Sequence, residues 1–357
     1  MNYKAYLSTI QPQNNLIRNQ NMTDIILDIE HQQSSHCETG VISTLLRSKG
    51  LDISEPMAFG LASAMNFVYL PIVKLGGLPL VAYRMPPKTI IKTVCKKLKV
   101  ELFSQKFSDQ RKGMQALDDE LAKGNLVGLQ TSVYWLPYFP EDMRFHFNAH
   151  NLVVYGKTAQ GNYLISDPVF EHLVECPAED LQRARFAKGA LAAKGLMYVI
   201  RSVPESVDLT PHIYSAIKKT AKMMNGIFLP FFGNKGIRHL AKKIKSLKKE
   251  KPKYQKLFLG NIVRMQEEIG TGGAGFRFMF ASFLDEAAKI TGNKQLVEAA
   301  KQGTEVGDNW REFAMDAVLF CKKRKELTLD DVATKLTSCA DQEQALRETL
   351  LTIKPAA

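Results

Sequence analysis

The sequence changes character once, near residues 204–211, and this change limits the folds open to it. Before this point, runs rich in Val, Leu, Ile and Tyr alternate with helical patterns, whereas after it apolar residues recur only at helical spacing. The strand-like runs are residues 126–131, 151–155, 162–166 and 197–202. We therefore predict an α+β first domain at residues 24–203 and an all-helical second domain at residues 212–357.

The composition indicates a globular chain. Of the 357 residues, 45% are hydrophobic and 24% are charged, which excludes wholesale disorder. No apolar run reaches the roughly 20 residues of a membrane-spanning helix, and the first residues lack the pattern of a secretion signal. Five scattered cysteines favour a reducing compartment over a disulfide framework, and no Cys/His spacing is typical of a metal site. We expect a cytoplasmic protein without a bound metal.

The positive charge is concentrated in one segment. The formal net charge is +12, and residues 218–256 hold 13 Lys and Arg against one acidic residue. The rest of the chain is balanced, with 35 basic and 35 acidic residues. Such a local excess predicts a docking surface for an acidic partner rather than a protein that is basic throughout.

Within this segment, residues 236–249 have the pattern of an amphipathic helix. The apolar face consists of Ile237, Leu240, Ala241, Ile244 and Leu247. The lysines around it are Lys242, Lys243, Lys245, Lys248 and Lys249. Three interpretations are open: a solvated helix, a docking site for an acidic protein, or peripheral contact with an anionic membrane, which the apolar residues 227–232 favour. Nucleic acid is not expected, because no recognised binding fold accompanies the charge.

Cys37 is predicted to lie in the first turn of a helix at residues 36–47. Ser35 followed by Glu38 matches a capping box, and the apolar residues that follow fall on one helical face. At a helix start, free amides and the helix dipole stabilise a thiolate, the reactive form of cysteine. Cys37 is therefore a candidate nucleophile. The alternative is a small buried hydrophobic residue, as most free cysteines are.

His150 and Asp167 are predicted to face each other across a β-hairpin. If residues 157–160 form the loop, counting back along both strands pairs His150 with Asp167 on one face. An aspartate there fixes the tautomer that a general base needs. The alternative is a surface histidine and an Asp-Pro turn, and one bulged residue would separate the two side chains. With Cys37, the pair supplies a nucleophile, a base and an orienting acid in the order found in papain-like enzymes.

Several motifs resemble the butirosin biosynthesis protein H-like family. HCETG at residues 36–40 and SEPMAFGL at residues 54–61 resemble its amino-terminal domain. The hairpin HNLVVYGKTAQGNYLISDP at residues 150–168 also resembles that of bacteriocin-processing cysteine peptidases. EEIGTGGAGFR at residues 267–277, with FLDEAA at residues 283–288, resembles the helical domain of unknown function that commonly follows.

This resemblance implies a papain-like thiol acyltransferase domain with an antiparallel sheet and a Cys-bearing helix. Cys37 would accept the acyl group, His150 would act as the base, and Asp167 would orient it. The expected donor is an acyl carrier protein, whose phosphopantetheine arm is part of the substrate, and no bound cofactor is expected. The expected acceptor is a small molecule with an amine or hydroxyl group. One alternative is a cysteine hydrolase, a peptidase or thioesterase with the same triad, and another is a noncatalytic scaffold.

Four further side chains are candidates for the site. The backbone amide of Cys37 is one expected oxyanion donor, and Gln32 or Gln33 is a candidate for the other, since papain-like enzymes use a glutamine. Glu55 either starts a helix or binds the acceptor amine. Arg277 begins an otherwise apolar run, so it needs a partner: either a structural ion pair or an anionic group of a substrate, such as the phosphate of the pantetheine arm or an acceptor carboxylate.

Overall fold

The mixed and helical regions predicted from the sequence are both present. The computed structural model describes residues 23–226, 230–324 and 326–355, which contain nine strands and eleven α-helices. All named strands end by Ser202 and pair antiparallel, and the described residues beyond them are mainly helical. The prediction of an α+β protein with helices in its carboxy-terminal part is confirmed.

Four of the nine strands in the described residues correspond to the predicted runs. The nine strands are β1 (Ile25–Ile26), β2 (Met65–Leu75), β3 (Leu78–Arg84), β4 (Glu101–Gln105), β5 (Val127–Thr131), β6 (His150–Lys157), β7 (Tyr163–Ser166), β8 (Val174–Cys176) and β9 (Met197–Ser202). The main sheet has the order β4-β9-β5-β6-β7-β8, with β1 paired to the far end of β6. β2 and β3 form a separate hairpin.

Five helices lie among the strands, and six follow them in the described chain. The first group is α1 (Cys37–Arg47), α2 (Glu55–Leu61), α3 (Thr89–Lys97), α4 (Gln110–Ala122) and α5 (Ala178–Arg185). The second group is α6 (Thr210–Met224), α7 (Gly233–Ser246), α8 (Pro252–Glu267), α9 (Arg277–Thr291), α10 (Lys294–Lys322) and α11 (Leu329–Thr352). None of these described helices has the length and apolarity that crossing a bilayer requires.

β6 is the strand on which the candidate site depends, and it is buried on both faces. Val153 and Tyr155 belong to the larger hydrophobic core, whereas Leu152 and Val154 belong to a second core on the opposite face. α1 packs against β6, and α4 packs against β5 and β6. Because side chains alternate along a strand, a strand covered on both sides reads as a continuous apolar run. This explains why the sequence pattern located β6 correctly.

The β2–β3 hairpin joins the sheet region to the helices. It packs on α6, α7 and α8, and the rings of Phe67 and Tyr83 contact Trp310 of α10 with centroids 5.8 and 5.6 Å away. One hydrophobic core therefore continues from the strands into the carboxy-terminal helices. The predicted boundary at residues 204–211 falls between β9 and α6, and the division into two domains stays a prediction.

The sequence pattern did not locate the hairpin. Each of its strands contains a proline, Pro71 in β2 and Pro79 in β3, and proline argues against a strand that needs partners on both sides. The two strands form a sheet of their own, so neither is the central strand of a larger sheet and the argument does not apply here. The short strands β4 and β8 at the ends of the main sheet were also missed.

Gly60 allows α2 and α9 to pack closely. A Cβ atom at this position would lie 2.0 Å from Cγ of Phe283, a fully buried side chain of α9. Another short contact lies beside it, where the Ser54 hydroxyl at the start of α2 donates a hydrogen bond to Glu286 of α9. The helix that follows α1 is thus held by the carboxy-terminal helices.

We predict that Gly60→Ala lowers the free energy of unfolding by about 1–3 kcal/mol, because the buried Phe283 ring must move. Gly260→Ala is the matched control, since a Cβ at this position of α8 meets no atom within 4 Å. The control should stabilise the protein by about 0.5–1 kcal/mol through helix propensity. Chemical denaturation measures both changes, and a Gly60→Ala variant as stable as the parent would contradict the packing argument.

Candidate active site

α1 begins at Cys37, but its cap differs from the predicted one. The N-cap is His36 rather than Ser35, and the His36 Nδ1 accepts the backbone N–H of Thr39 at 3.4 Å. The His36 ring is buried edge-on against Phe276, with centroids 5.2 Å apart. Burial, followed by the charges of nearby cations, lowers its pKa well below the usual range, so His36 is a neutral structural residue at neutral pH.

Glu38 faces inward instead of completing a capping box. The side chain is fully buried, accepts the backbone N–H of Ile90 at 3.0 Å and pairs with Arg84 at 3.2 Å. The predicted capping box of Ser35 and Glu38 is therefore wrong. A buried carboxylate needs charged or hydrogen-bonding partners, and α3 and β3 supply them through the tertiary fold.

Glu55 takes over the capping role from the start of α2. Its carboxylate accepts the backbone N–H groups of Ser35 at 3.0 Å and His36 at 2.7 Å, and the Thr39 hydroxyl at 3.0 Å. Burial raises the pKa of Glu55, although the three hydrogen bonds oppose the rise. The structural interpretation of Glu55 accounts for these contacts.

Two backbone amides at the start of α1 remain available. The first four N–H groups of this helix belong to residues 36–39. The N–H of His36 is bonded to the Glu55 carboxylate, and the N–H of Thr39 is bonded to the His36 ring. The N–H groups of Cys37 and Glu38 lie between these two, and neither has an acceptor among the described residues. Free amides next to a thiol are suited to binding a developing oxyanion.

His150 and Asp167 are in contact, although the predicted register is wrong. His150 Nε2 lies 2.7 Å from Asp167 Oδ2, and both side chains are buried. β6 and β7 pair Val153 with Ser166, and a bulge follows Val154. Asp167 lies one residue beyond β7, so the turn after the strand brings it to His150.

Asp167 is fully buried and receives three hydrogen bonds. Besides His150, the Tyr138 hydroxyl donates to Oδ2 at 2.8 Å, and the backbone N–H of Val169 donates to Oδ1 at 3.0 Å. Burial and the charge of Asp167 raise the pKa of Tyr138 well above its usual range, so its hydroxyl stays a donor. The sequence analysis missed Tyr138, because no local pattern connects it with Asp167.

Cys37 is half-buried and interacts with His150. Burial raises the pKa of the thiol, but the hydrogen bond and charge of His150 outweigh burial, so the pKa lies below the ordinary value. Burial likewise lowers the pKa of His150, but Asp167 and Cys37 raise it to about 10 overall. Because Nε2 is bonded to Asp167, Nδ1 is the nitrogen left for the thiol. The arrangement therefore stabilises the thiolate form of Cys37 and the imidazolium form of His150.

Asn151 is a second residue that the sequence analysis missed. Its Nδ2 lies 3.9 Å from Cys37 Sγ, and its Oδ1 accepts the Tyr198 hydroxyl at 3.0 Å. The available signal was a polar residue inside an otherwise apolar strand, next to His150. Such a residue needs partners when it is buried.

The thiol pKa values of the other four cysteines are raised rather than lowered. Burial raises the pKa values of Cys95 and Cys176 to about 12 and also raises those of Cys321 and Cys339. Cys37 therefore differs from each of the other cysteines in carrying a lowered thiol pKa.

The glutamines predicted as oxyanion donors have other contacts. The Gln32 Oε1 accepts from Arg47 at 2.9 Å, and the Gln33 Nε2 donates to the Val169 carbonyl at 3.0 Å. Both side chains are exposed, and no hydrogen bond in the described part of the chain joins either of them to Cys37. Residues 31–34 instead fasten to residues 166–170, where they hold the turn that contains Asp167.

Arg277 is buried in an ion pair. Its guanidinium contacts Glu343 at 2.6 Å and donates to the Gly275 carbonyl at 2.6 Å. It also stacks near the rings of Tyr83 and Trp310, at 5.6 and 4.9 Å from their centroids. These contacts fit the structural interpretation of Arg277.

α7 has the apolar face that the sequence predicted. Ile237, Leu240, Ala241, Ile244 and the following Leu247 are all buried. Lys242, Lys245 and Lys249 are exposed without ion pairs in the described residues, whereas Lys243 lies near Glu250 and Lys248 pairs with Asp330. Of the predicted apolar lead-in at residues 227–232, residues 227–229 lie outside the described residues.

Comparison with known families agrees with this arrangement. Residues 36–168 match the family described as butirosin biosynthesis protein H, N-terminal. Residues 179–350 match a domain of unknown function, DUF4872. The chain has the two-domain architecture of the butirosin biosynthesis protein H-like family. The resemblance expected from the sequence is thereby confirmed.

The butirosin biosynthesis protein H match contains Cys37, His150 and Asp167, and its description suggests a biosynthetic enzyme. The second match starts inside α5 and includes β9, which lies between β4 and β5 in the main sheet. The sheet of the first match is therefore completed by the second. No curated protein matches the chain.

We predict that iodoacetamide alkylates Cys37 selectively at pH 7, because the thiols of the other cysteines have raised pKa values. His150→Ala removes the interaction that lowers the pKa of Cys37, so burial raises that pKa and alkylation slows by roughly tenfold or more. The rate should recover as the pH rises. Mass spectrometry of the labelled peptide gives the rate at each pH.

His146→Ala is the control, since His146 is exposed and stacks on Tyr134 rather than contacting the thiol. It should leave the alkylation rate unchanged. Equal rates in His150→Ala and the parent would show that His150 does not activate Cys37.

Proposed function

We propose that the protein is a cysteine-dependent acyltransferase with a papain-like amino-terminal domain. The observation that carries this proposal is the grouping of Cys37, whose thiol pKa His150 lowers, with His150 and with the buried Asp167, which lies 2.7 Å from His150 Nε2. A nucleophile at a helix start, packed on an antiparallel sheet that carries the base, is the arrangement of papain-like enzymes. The family description supports a biosynthetic role.

In the first half-reaction, the Cys37 thiolate attacks the carbonyl carbon of a thioester. A new C–S bond forms, and the carbonyl oxygen becomes an oxyanion that the free amides at the start of α1 stabilise. As the tetrahedral intermediate collapses, the C–S bond to the donor breaks, and His150 gives its proton to the leaving thiolate. The product is an acyl-Cys37 thioester and a free donor thiol.

In the second half-reaction, an amine or hydroxyl acceptor attacks the acyl group. Now neutral, His150 removes the proton from the acceptor as the new bond to carbon forms. The bond to Cys37 Sγ then breaks, which restores the thiolate and the imidazolium. Asp167 and Tyr138 hold the imidazole in one tautomer through both steps.

We predict that a short acyl thioester of pantetheine adds one acyl mass to the protein and that peptide mapping finds it on Cys37. Cys37→Ala should take up no acyl group, and a label that persists in this variant would disprove the assignment. His150→Ala should acylate roughly 10²–10⁴-fold more slowly, because general acid–base catalysis is lost. Intact-protein mass spectrometry under single-turnover conditions measures the rates.

Acyl release separates a transferase from a hydrolase. The acyl-enzyme of a transferase should persist in buffer and discharge when a suitable amine from a panel of amino sugars and polyamines is added. Rapid release as the free acid, at a rate that no amine changes, would instead identify a cysteine hydrolase.

For the donor, we propose an acyl carrier protein that docks on the exposed lysines of α7 and of the turn that follows it. Charge complementarity supports this role, because Lys242, Lys245 and Lys249 are exposed and have no acidic partner among the described residues. Their helix is held by its buried apolar face, so the charges can be changed without disturbing the packing.

We predict that replacing Lys242, Lys245 and Lys249 by Gln raises the KM for a carrier-bound donor by roughly tenfold, an effect that weakens as salt rises. Turnover of a free pantetheine thioester should not change. Loss of binding to anionic vesicles with unchanged carrier kinetics would instead identify a membrane-docking helix. No change in either measurement would leave α7 as a solvated helix.

A further inference from the structure

A cavity of about 650 Å³ opens between the segment that follows β4 and the loop that joins α5 to β9. Its walls include the aromatic side chains Phe107 and Phe186 and the hydroxyl-bearing Ser108. Three lysines line it: Lys106, Lys188 and Lys194. The volume lies within the usual range for small-molecule sites.

The positive charge around this cavity is not neutralised. Lys106, Lys188 and Lys194 are exposed, and none of them forms an ion pair with another residue in the described chain. Nearby Lys88 is half-buried, and its pKa is lowered first by burial and then by the charges of Lys106, Lys194 and Lys92. Lys106 and Lys194 are therefore close enough to Lys88 for their charges to affect its pKa.

The acidic residues nearest these lysines already have other partners. Glu38, which lies close enough to affect Lys88, is paired with Arg84. Asp109 follows the cavity residue Ser108, but its carboxylate caps α4 by accepting the backbone N–H of Lys112 at 3.0 Å. The cavity thus has an excess of positive charge and an apolar wall.

Hydrogen bonds connect the surroundings of the cavity to the candidate active site. The Asn148 side chain, two residues before His150, donates hydrogen bonds to the carbonyls of Lys188 at 3.3 Å and Ala190 at 2.9 Å. On the other side, Lys88 precedes α3, whose Ile90 N–H is bonded to Glu38 in the first turn of α1. The histidine side of the site is therefore bonded to the loop that carries Lys188, and the cysteine side to the helix that follows Lys88.

We propose that this lysine cavity binds the phosphate group of a phosphorylated substrate of Cys37. A phosphomonoester carries about −1.5 to −2 charges at neutral pH, which suits several converging lysines better than the single charge of a carboxylate does. Lysine ammonium groups bind phosphate as point charges, and the two phenylalanines offer contact to the organic part of the ligand. The phosphate can belong to the donor arm or to the acceptor. The distinction between donor and acceptor rests on the acyl transfer proposed above.

The test is direct binding to the Cys37→Ala protein, so that it does not depend on catalysis. The probes are 4′-phosphopantetheine with pantetheine as its phosphate-free counterpart, and phosphoethanolamine with ethanolamine. The expected result is that at least one phosphorylated probe binds roughly tenfold or more tightly than its counterpart. Phosphopantetheine would identify the donor as the source, and phosphoethanolamine the acceptor. Isothermal titration calorimetry measures the affinities.

The triple variant Lys106→Gln, Lys188→Gln, Lys194→Gln should lose this preference and leave the phosphate-free probes unaffected. The matched control is Lys74→Gln, Lys294→Gln, Lys322→Gln, which removes the same charge from exposed lysines elsewhere and should keep the preference. Equal affinity for each pair of probes, or an equal loss in the control, would overturn the proposal. If probe binding requires the lysines but Cys37 of the parent protein takes up no acyl group, the acyltransferase proposal is rejected and the phosphate-site proposal is retained.

Discussion

The buried carboxylate of Asp167 is the group on which the candidate site depends. A charge removed from water must be compensated, and three donors do so: His150, Tyr138 and the backbone N–H of Val169 in the same turn. The turn that carries Asp167 is in turn bonded to the chain just before α1, where Ser34 donates to the Pro168 carbonyl at 2.8 Å. One desolvated charge thus connects the base with the segment that leads into Cys37.

The carboxy-terminal region also contacts the residues that position the candidate site. The Phe276 ring contacts both His36 and Phe59, and Glu286 accepts a hydrogen bond at the start of α2. β9, which falls within the second family match, lies inside the main sheet. The cap of the cysteine helix and the sheet below it therefore depend on both matched regions, and a fragment ending at the first match would lack the strands β8 and β9 and one wall of the site.

Local patterns predicted the parts of this site that local forces determine. The helix that starts at Cys37 and the strands β5, β6, β7 and β9 follow from apolar periodicity, and the structure has them within one or two residues. The cap could not be predicted, because Glu55 reaches Ser35 and His36 only after α2 has folded against α1. The register failed because the loop spans residues 158–162 rather than 157–160, so that Gly156 pairs with Leu164, and the bulge after Val154 then changes the pairing by one residue.

The same comparison explains why a wrong register still led to a correct contact. If His150 and Asp167 were paired within the hairpin, the distance between them would depend on the strand register, and a bulge would separate them. Asp167 instead lies beyond the end of β7, where the Asp167 carbonyl accepts the Phe170 N–H at 3.1 Å and its carboxylate accepts the Val169 N–H. A turn stabilised in this way sets the position of the carboxylate independently of the strand register. The orientation of the base is thus determined by local turn chemistry and by burial, and it does not require ideal pairing in the hairpin.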